Sequence, residues 1–478
     1  MTASRATLLF ASALLGWTTH GCGRTSLRVP GAQDASGTLT ATSTVTSTGG
    51  AGPFPATSQP AINGTCPAGL TACGRRAAIR CYDLTRSPED CGQCGNACAP
   101  GIACESSRCQ QHQCKGALTF NALPGITTFQ SGDDSYESLA YYLPVLGDFD
   151  GDGTLDFVGQ PGIFAPMGLL LGKGDGTFQA HAIASAFAYT WSAAAADLNG
   201  DGRLDLASIT GTINGNDAAV TVRLGNGDPA TLLEPATTYP TPSSPGSLLL
   251  ADLDNDGNVD LVAAETKRLT LWRGAADGRL AEPVDIPVGS SSLPGSSADF
   301  LIAADWNRDG VPDLVFGTST LRMLLGRGDG TFDNEIACGL ALDGSPSGNV
   351  LADFDHDQKI DMLAGGKVFL GMNGCNFSTL VSIPSWNYGG LAALNGVADL
   401  NGDGNPDIVT GSSTMTGDEQ ISVLLGDGHG GFSHALDFPS FGGQPGGAFL
   451  VGDLNHDTKL DIIVTRPDGW RVLLNTCP

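Results

Sequence analysis

The sequence predicts an all-β fold, a seven-bladed β-propeller preceded by a small disulfide-rich module. Three observations predict it. An acidic nine-residue loop recurs seven times. Each copy sits between two short apolar runs, and most are followed by a third run leading to a glycine-rich turn. Nine of the 13 cysteines crowd between Cys66 and Cys114.

The first loop reads Asp148-Phe149-Asp150-Gly151-Asp152-Gly153-Thr154-Leu155-Asp156. Oxygen side chains occupy its positions 1, 3, 5 and 9, and glycine occupies position 6. The pattern returns as Asp197, Asn199, Asp201 and Asp205; as Asp252, Asp254, Asp256 and Asp260; and as Asp305, Asn307, Asp309 and Asp313. It returns again as Asp353, Asp355, Asp357 and Asp361; as Asp399, Asn401, Asp403 and Asp407; and as Asp453, Asn455, Asp457 and Asp461. Hard cations such as Ca2+ take about six to eight oxygens, and alternate acidic positions in a tight turn can converge on one ion. An acidic turn without metal is the alternative, because Asp and Asn favour turns in any case. Four oxygen donors at fixed spacing, repeated seven times, favour the cation. Up to seven Ca2+ ions are therefore expected.

The first Asp recurs every 46 to 55 residues, a period in the range of propeller blades. A repeat array accounts for 478 residues without several separate cores. The formal net charge is -26, and the predicted ligand positions hold 24 of the 50 acidic residues. Seven divalent ions would bring that balance to about -12. The acidity argues against a nucleic-acid partner, which rewards a basic face.

Each apolar run before a loop ends in a small residue, as in Ala193-Ala194-Ala195-Ala196 and Leu248-Leu249-Leu250-Ala251. The runs after it include Asp260-Leu261-Val262 and Asp313-Leu314-Val315-Phe316. Such short apolar runs bounded by turns read as buried strands, with the loop as their hairpin connection. The Ala or Gly just before each first Asp suggests strands crowded near an axis. A third, alternating run, such as Val220-Thr221-Val222-Arg223-Leu224, leads to turns such as Gly326-Arg327-Gly328-Asp329-Gly330-Thr331-Phe332. A short segment after the Phe makes the fourth strand. Four strands in each of seven units give the propeller, which leaves only short, protected edges. An open solenoid of the same units is the alternative.

Ring closure is a problem at the C-terminus. After the last loop there is room for two strands, Asp461 to Thr465 and Trp470 to Asn475, but for no fourth. The segment from Ala117 to Phe129 lacks a loop of its own and is expected to complete the last blade.

Four regions result: 1–21, 22–64, 65–116 and the propeller at 117–478. Arg5 precedes an apolar run from Ala6 to Trp17, which reads as a secretory signal too short to span a bilayer. Gly21-Cys22 resembles a bacterial lipoprotein processing site, with Thr19 where that family prefers Leu. It implies a lipid on Cys22, the only membrane attachment expected; ordinary signal cleavage is the alternative. Residues 22–64, richest in Ser, Thr, Gly and Pro from Asp34, cannot bury a core and read as a tether.

The cysteine density of 65–116 in an exported chain means disulfides standing in for a core too small to hold itself. Zinc at Cys91, Cys94 and Cys98 is the less favoured reading. Cys91-Gly92-Gln93-Cys94-Gly95-Asn96-Ala97-Cys98 and Cys81-Tyr82-Asp83-Leu84 resemble a small cysteine-rich module of predicted myxobacterial surface proteins. Setting Cys22 aside leaves an even number of cysteines. Cys338 and Cys375, at outer positions of successive repeats, could pair with each other. Cys477 is then left to a module cysteine, most simply Cys114.

The acidic loop with its following strand, and the Leu-Leu-Gly-x-Gly-Asp-Gly-Thr-Phe turn, resemble the FG-GAP/VCBS repeats of integrin α-subunit propellers and many bacterial surface proteins. The resemblance covers about residues 117–478. It implies that the loop joins strands 1 and 2 of a blade and binds calcium through side chains at positions 1, 3, 5 and 9 and the carbonyl at position 7. Gln358 and Thr458 replace the position-6 glycine and are poorly suited to positive φ. The loops at Asp353 and Asp453 are therefore expected to bind weakly or stay empty.

No catalytic set is legible. His20, His112, His181, His356, His429, His434 and His456 form no cluster, and no nucleophile elbow or phosphate-cradling loop is present. The expectation is a monomeric, calcium-stabilised, non-enzymatic binding or adhesion protein at the cell surface, in the outer membrane or secreted. Its partner would be a protein or glycan, with specificity in variable loops such as Thr212 to Ala218, Thr231 to Pro245 and Ser412 to Glu419. A lectin, or a polysaccharide-active hydrolase or lyase on the same scaffold, is the alternative. Arg327-Gly328-Asp329 falls within a repeat turn and reads as chance rather than as an integrin ligand.

Overall fold

The computed structural model describes residues 111–478 with the exception of 112, 115–116, 124–141, 161–167, 182–188, 212–217, 242–244, 266–267, 290–299, 318–319, 342–349, 365–366, 373–374, 383–394, 414–418, 439–448 and 467–468, together with short strands between 59 and 109. The signal segment, Cys22, nearly all of the tether and the disulfide pairing within the module lie outside the described residues. So do Ile126 to Phe129 and most of the loops at 212–218 and 412–419, which the sequence offers as sites of specificity.

In the module, Gln59–Pro60 and Thr71–Cys73 flank Arg80–Tyr82 in a three-stranded sheet, and Cys104–Glu105 pairs with Arg108–Cys109. The sheet thus takes an edge strand from within the span expected to be tether. Pro60 is tolerated there because an edge strand leaves one row of N–H groups unused.

Among the described residues, seven four-stranded antiparallel sheets follow. Blade 1 comprises Tyr142–Gly147, Asp156–Gln160, Gly168–Gly172 and Phe178–His181. Blades 2 to 6 repeat this meander, beginning at Tyr189–Ala196, Ser247–Ala251, Phe300–Ala304, Val350–Ala352 and Asn395–Ala398. Blade 7 comprises Phe449–Gly452, Asp461–Arg466 and Gly469–Asn475, and its outer strand is Phe120–Ala122 from the other end of the propeller. The segment expected to complete the last blade, Ala117 to Phe129, therefore does so through Phe120–Ala122.

The second strands are apolar without alternation because both of their faces are covered. In Asp260–Glu265, Leu261 and Ala263 pack toward blade 2 while Val262 and Ala264 pack toward blade 4. The third strands follow suit: Val220, Thr221, Val222 and Arg223 are all buried, so their polar–apolar alternation does not mark a solvent face. A separate apolar core fills each junction between neighbouring blades, including that between blades 7 and 1. There Phe157 lies against Trp470, ring centroids 5.4 Å apart, beside Leu170, Ile463 and Val472. The inner strands of blades 7 and 1 also neighbour each other. The array is closed, and the open solenoid is excluded.

Crowding at the axis is real as well. A Cβ on Gly147, the last residue of the first inner strand, would lie 2.4 Å from Cδ1 of Leu204 in blade 2. Two disulfides pin the wheel. Cys114 joins Cys477 across a sequence separation of 363, with Cα atoms 5.5 Å apart, and Cys338 joins Cys375 between blades 4 and 5. Both pairings follow the parity argument.

The closing junction yields a direct check. Phe157 is 1 % exposed, and Phe157→Ala should cost about 3–5 kcal/mol in denaturant unfolding. Val284, 55 % exposed on an outer strand, should change stability by less than about 0.5 kcal/mol on mutation to Ala.

Candidate metal centres

Each acidic loop joins the inner strand of its blade to the second strand. Its first Asp follows the inner strand directly, and its ninth Asp opens the second strand. Antiparallel order places the turns between third and outer strands at the same end of the wheel. One face of the ring therefore carries all seven loops and the glycine-rich turns.

The ninth Asp is the most constrained residue of the loop. Asp156, Asp205, Asp260, Asp313, Asp361, Asp407 and Asp461 are each at most 1 % exposed. One carboxylate oxygen accepts the N–H of loop position 2, at 2.7–3.0 Å in all seven blades. The other accepts an N–H at the end of the third strand or just beyond it, from Gly172, Gly225, Gly274, Gly326, Gly371, Gly426 or Asn475, at 2.6–2.9 Å. One side chain thus ties its own loop to the third strand. Glycine suits six of these places because a Cβ would meet the carbonyl of loop position 8 at 2.1–2.6 Å. In blade 7, Asn475 replaces glycine and its amide donates to that carbonyl, of Leu460, at 3.2 Å. This second role of the ninth Asp is not visible in the loop sequence. The glycine recurring 10 to 20 residues after it was the available signal.

The other three oxygen positions organise the turn itself. The first Asp accepts the position-6 N–H at 2.8–2.9 Å in every loop. Position 3 accepts the N–H of position 5 at 2.8–3.2 Å. Position 5 accepts that of position 7 at 2.7–3.0 Å.

Position 6 is left-handed throughout, from Gly310 at φ 80° to Gly404 at 94°. Gln358 and Thr458 take the same conformation, at 66° and 67°, and their N–H groups still reach Asp353 and Asp453. The loss of glycine therefore costs backbone strain, about 1–2 kcal/mol, without changing the loop. Both loops thus keep the geometry of the other five despite the residue at position 6. Both carry a cation at position 7 facing position 5, Lys359 paired with Asp357 and Lys459 3.6 Å from Asp457, as Arg203 pairs with Asp201 in the blade 2 loop. Position 4 is left-handed too, at Gly151, Gly200, Asn255, Arg308, His356, Gly402 and His456. Its Gly and Asn members were the sequence signal for this. The non-glycine side chains reach the next blade: His356 Nε2 lies 2.9 Å from Asn405 Oδ1, His456 Nε2 lies 3.3 Å from Thr154 Oγ1, and Arg308 donates to Gln358.

Carboxylate oxygens of Asp148, Asp150 and Asp156 lie within 4.8 Å of one another, as do those of Asp252, Asp254 and Asp260 and those of Asp353, Asp355 and Asp357. Asp152, Asp256 and Asp361 stand outside these trios. These are the three loops with Asp at position 3. Among the described residues, the loops with Asn199, Asn307, Asn401 and Asn455 bring no three carboxylates so close. Oδ1 of Asp353 is buried with no hydrogen-bond partner, as expected of an oxygen meant for a cation. The donor set, all hard oxygens, fits Ca2+.

Arg327-Gly328-Asp329 is committed to its own turn. Arg327 donates to Asp333, and Asp329 accepts from the backbone and hydroxyl of Thr331. The span from Thr231 to Pro245 is not wholly loop, since Thr237–Pro240 is the outer strand of blade 2.

Burial, reinforced by neighbouring carboxylates, pushes the ninth-position carboxyls up against the pull of their two backbone donors. They reach about 6 at Asp205 and Asp313, about 7 at Asp156, Asp260, Asp361 and Asp461, and about 8 at Asp407. Burial raises Asp399 to about 6 as well. Such groups hold protons in the folded chain that the unfolded chain, at about 3.9, has released, so stability falls as pH rises through the folded values. In chelator, the melting temperature should therefore fall between pH 5 and pH 8.5. In saturating Ca2+, which requires the ionised form, it should not fall. A melting temperature that rises with pH in chelator would contradict this.

A search of curated proteins returns no match. Among solved structures, a lectin of Agrocybe aegerita, described for specific recognition of non-reducing terminal N-acetylglucosamine, is 18% identical with a TM-score of 0.53. The match covers 79% of this chain and 98% of that one. BBS1N in complex with ARL6DN is 11% identical at a TM-score of 0.47, covering 75% of this chain and 97% of that chain. The FG-GAP-like repeat matches residues 148–208, 252–316, 305–364 and 399–464, about half of the chain, and every match begins at the first Asp of a loop. The chain belongs to the FG-GAP-like repeat family.

Proposed function

We propose that this protein is a calcium-stabilised, non-enzymatic binding protein, secreted or held at the cell surface. The observation that carries the reading is the convergence of carboxylate oxygens in the Asp148, Asp252 and Asp353 loops, with the orphaned Oδ1 of Asp353. Positions 1, 3, 5 and 9 supply the oxygens. A cation there neutralises carboxylates that otherwise repel, so metal binding adds to folding free energy. The metal's role is structural: it stiffens one face of a wheel whose partner binds elsewhere. The two disulfides support an oxidising, exported location, with a lipid on Cys22 as one means of anchorage.

A glycan partner is the second reading, favoured by the lectin among the structural neighbours. A glycan array separates it from a protein-binding adhesin, and turnover in a polysaccharide screen would favour an enzyme instead.

Chelation should lower the melting temperature at pH 7.5 by on the order of 10 °C, since each site filled at a hundredfold its Kd contributes about 2.7 kcal/mol. Added Ca2+ should restore it. A melting curve indifferent to chelator would defeat the calcium reading.

A further inference from the structure

The outer strand of blade 7 arrives from the far end of the propeller, so this blade has no continuous turn between its third and outer strands. In blades 1 and 6 that turn donates to the position-2 carbonyl of the preceding blade's loop: Gly176 to Leu454 at 3.1 Å and Gly430 to Phe354 at 3.0 Å. Blade 7 must cover the blade 6 loop by other means. Three groups around the Cys114–Cys477 bridge do so, on three successive carbonyls. Gln111 donates its side-chain amide to Asp399. Asn475 donates to Leu400 at 2.9 Å, and the N–H of Cys114 donates to Asn401 at 2.8 Å. The bridge itself is tied in: the N–H of Cys477 donates to Asn475 Oδ1 at 3.1 Å, and that of Thr476 to the Thr119 carbonyl at 2.7 Å. Leu118, Leu400, Leu460, Leu473 and Cys477 share one core. Asp399 is 5 % exposed beneath this strap.

We propose that the Cys114–Cys477 bridge and the blade 6 acidic loop form one redox-sensitive closure, in which the disulfide and a divalent cation stabilise each other. The inference rests on the calcium reading above. The intact bridge holds the backbone of positions 1 to 3, and so keeps Asp399, Asn401, Asp403 and Asp407 in place for the ion. A bound ion in turn fixes the carbonyls on which Gln111, Cys114 and Asn475 rest, which keeps the bridge shut away from thiols. Cys477 is 1 % exposed and Cys114 is partly buried, so the strap must open before a reductant reaches the Cys477 sulfur and restricts approach to that of Cys114. An exogenous dithiol supplies the two electrons and two protons that convert the bridge to two thiols, and closes to its own cyclic disulfide. Coupling of this kind is reciprocal, so each partner must strengthen the other by the same factor.

The test follows reduction of Cys114–Cys477 in the full chain by dithiothreitol, through alkylation and peptide mass mapping, in Ca2+ and in chelator. Ca2+ should slow reduction at least about fivefold in the unaltered chain. The protection should persist in Asp256→Asn, in the blade 3 loop, and vanish in Asp403→Asn, in the blade 6 loop. Asn at 403 retains an oxygen for the Asn405 N–H, and circular dichroism of each variant checks the fold. As the reciprocal measurement, a chain carrying Cys114→Ser and Cys477→Ser should bind Ca2+ at one site more weakly by a similar factor in calorimetry. Full protection in Asp403→Asn would overturn the coupling. Absence of protection in the unaltered chain, with Ca2+ still raising the melting temperature, would overturn it while leaving the calcium reading intact. Ca2+ that neither protects the bridge nor raises the melting temperature would remove both.

Discussion

The structure depends on a buried carboxylate that bonds two backbone N–H groups, one from its own loop and one at the end of the third strand of the blade. The ninth Asp of each loop holds position 2 with one oxygen and the end of the third strand with the other. Hydrogen bonds to a charged acceptor are worth about 1.5–3 kcal/mol each, and here they recur in seven blades. The same carboxylate is costly to bury ionised, and two N–H donors offset only part of that cost. Under the proposed calcium reading, a cation on the solvent side of the loop would supply the remainder. The acidic loop would then be a fastening with two halves, backbone donors behind and metal in front, acting on one side chain.

The clamp acts within a blade, and the wheel requires contacts between blades. Apolar cores at all seven junctions provide most of that cohesion. On the loop face, a polar chain supplements them through Arg308, His356 and His456, each reaching from one loop to the next. The seventh blade departs from the repeat because chain ends meet there. Asn475 takes the place of the glycine, Phe120–Ala122 supplies the strand, and Cys114–Cys477 spans the missing turn. These substitutions converge on the blade 6 loop, over the buried Asp399.

Much of this architecture is legible in the sequence because its signals are local and repeated. Four oxygens in nine residues mark the loop, and apolar runs on either side mark the strands. Even the closure is legible, since the segment from Ala117 to Phe129 has strand-like runs but no acidic loop of its own. Cysteine parity then pairs Cys477 with Cys114 and Cys338 with Cys375. Contacts across long separations are less legible. The bond from Asp205 to Gly225 skips 20 residues, and His456 meets Thr154 only after the ring has closed. Residue preference misleads at Gln358 and Thr458, where the surrounding hydrogen bonds impose a left-handed backbone that neither side chain favours.

The most direct test of the clamp is hydrogen exchange at the amides of Gly172, Gly225, Gly274, Gly326, Gly371, Gly426 and Asn475, compared in Ca2+ and in chelator at neutral pH. These N–H groups belong to the clamp but not to the metal loops, so they report whether the cation holds the carboxylate in its bonding role. Slow exchange in Ca2+, rising by at least about tenfold at all seven amides in chelator, is the predicted result. Equal protection in both conditions would show that the carboxylates hold the blades without metal, and would contradict the account.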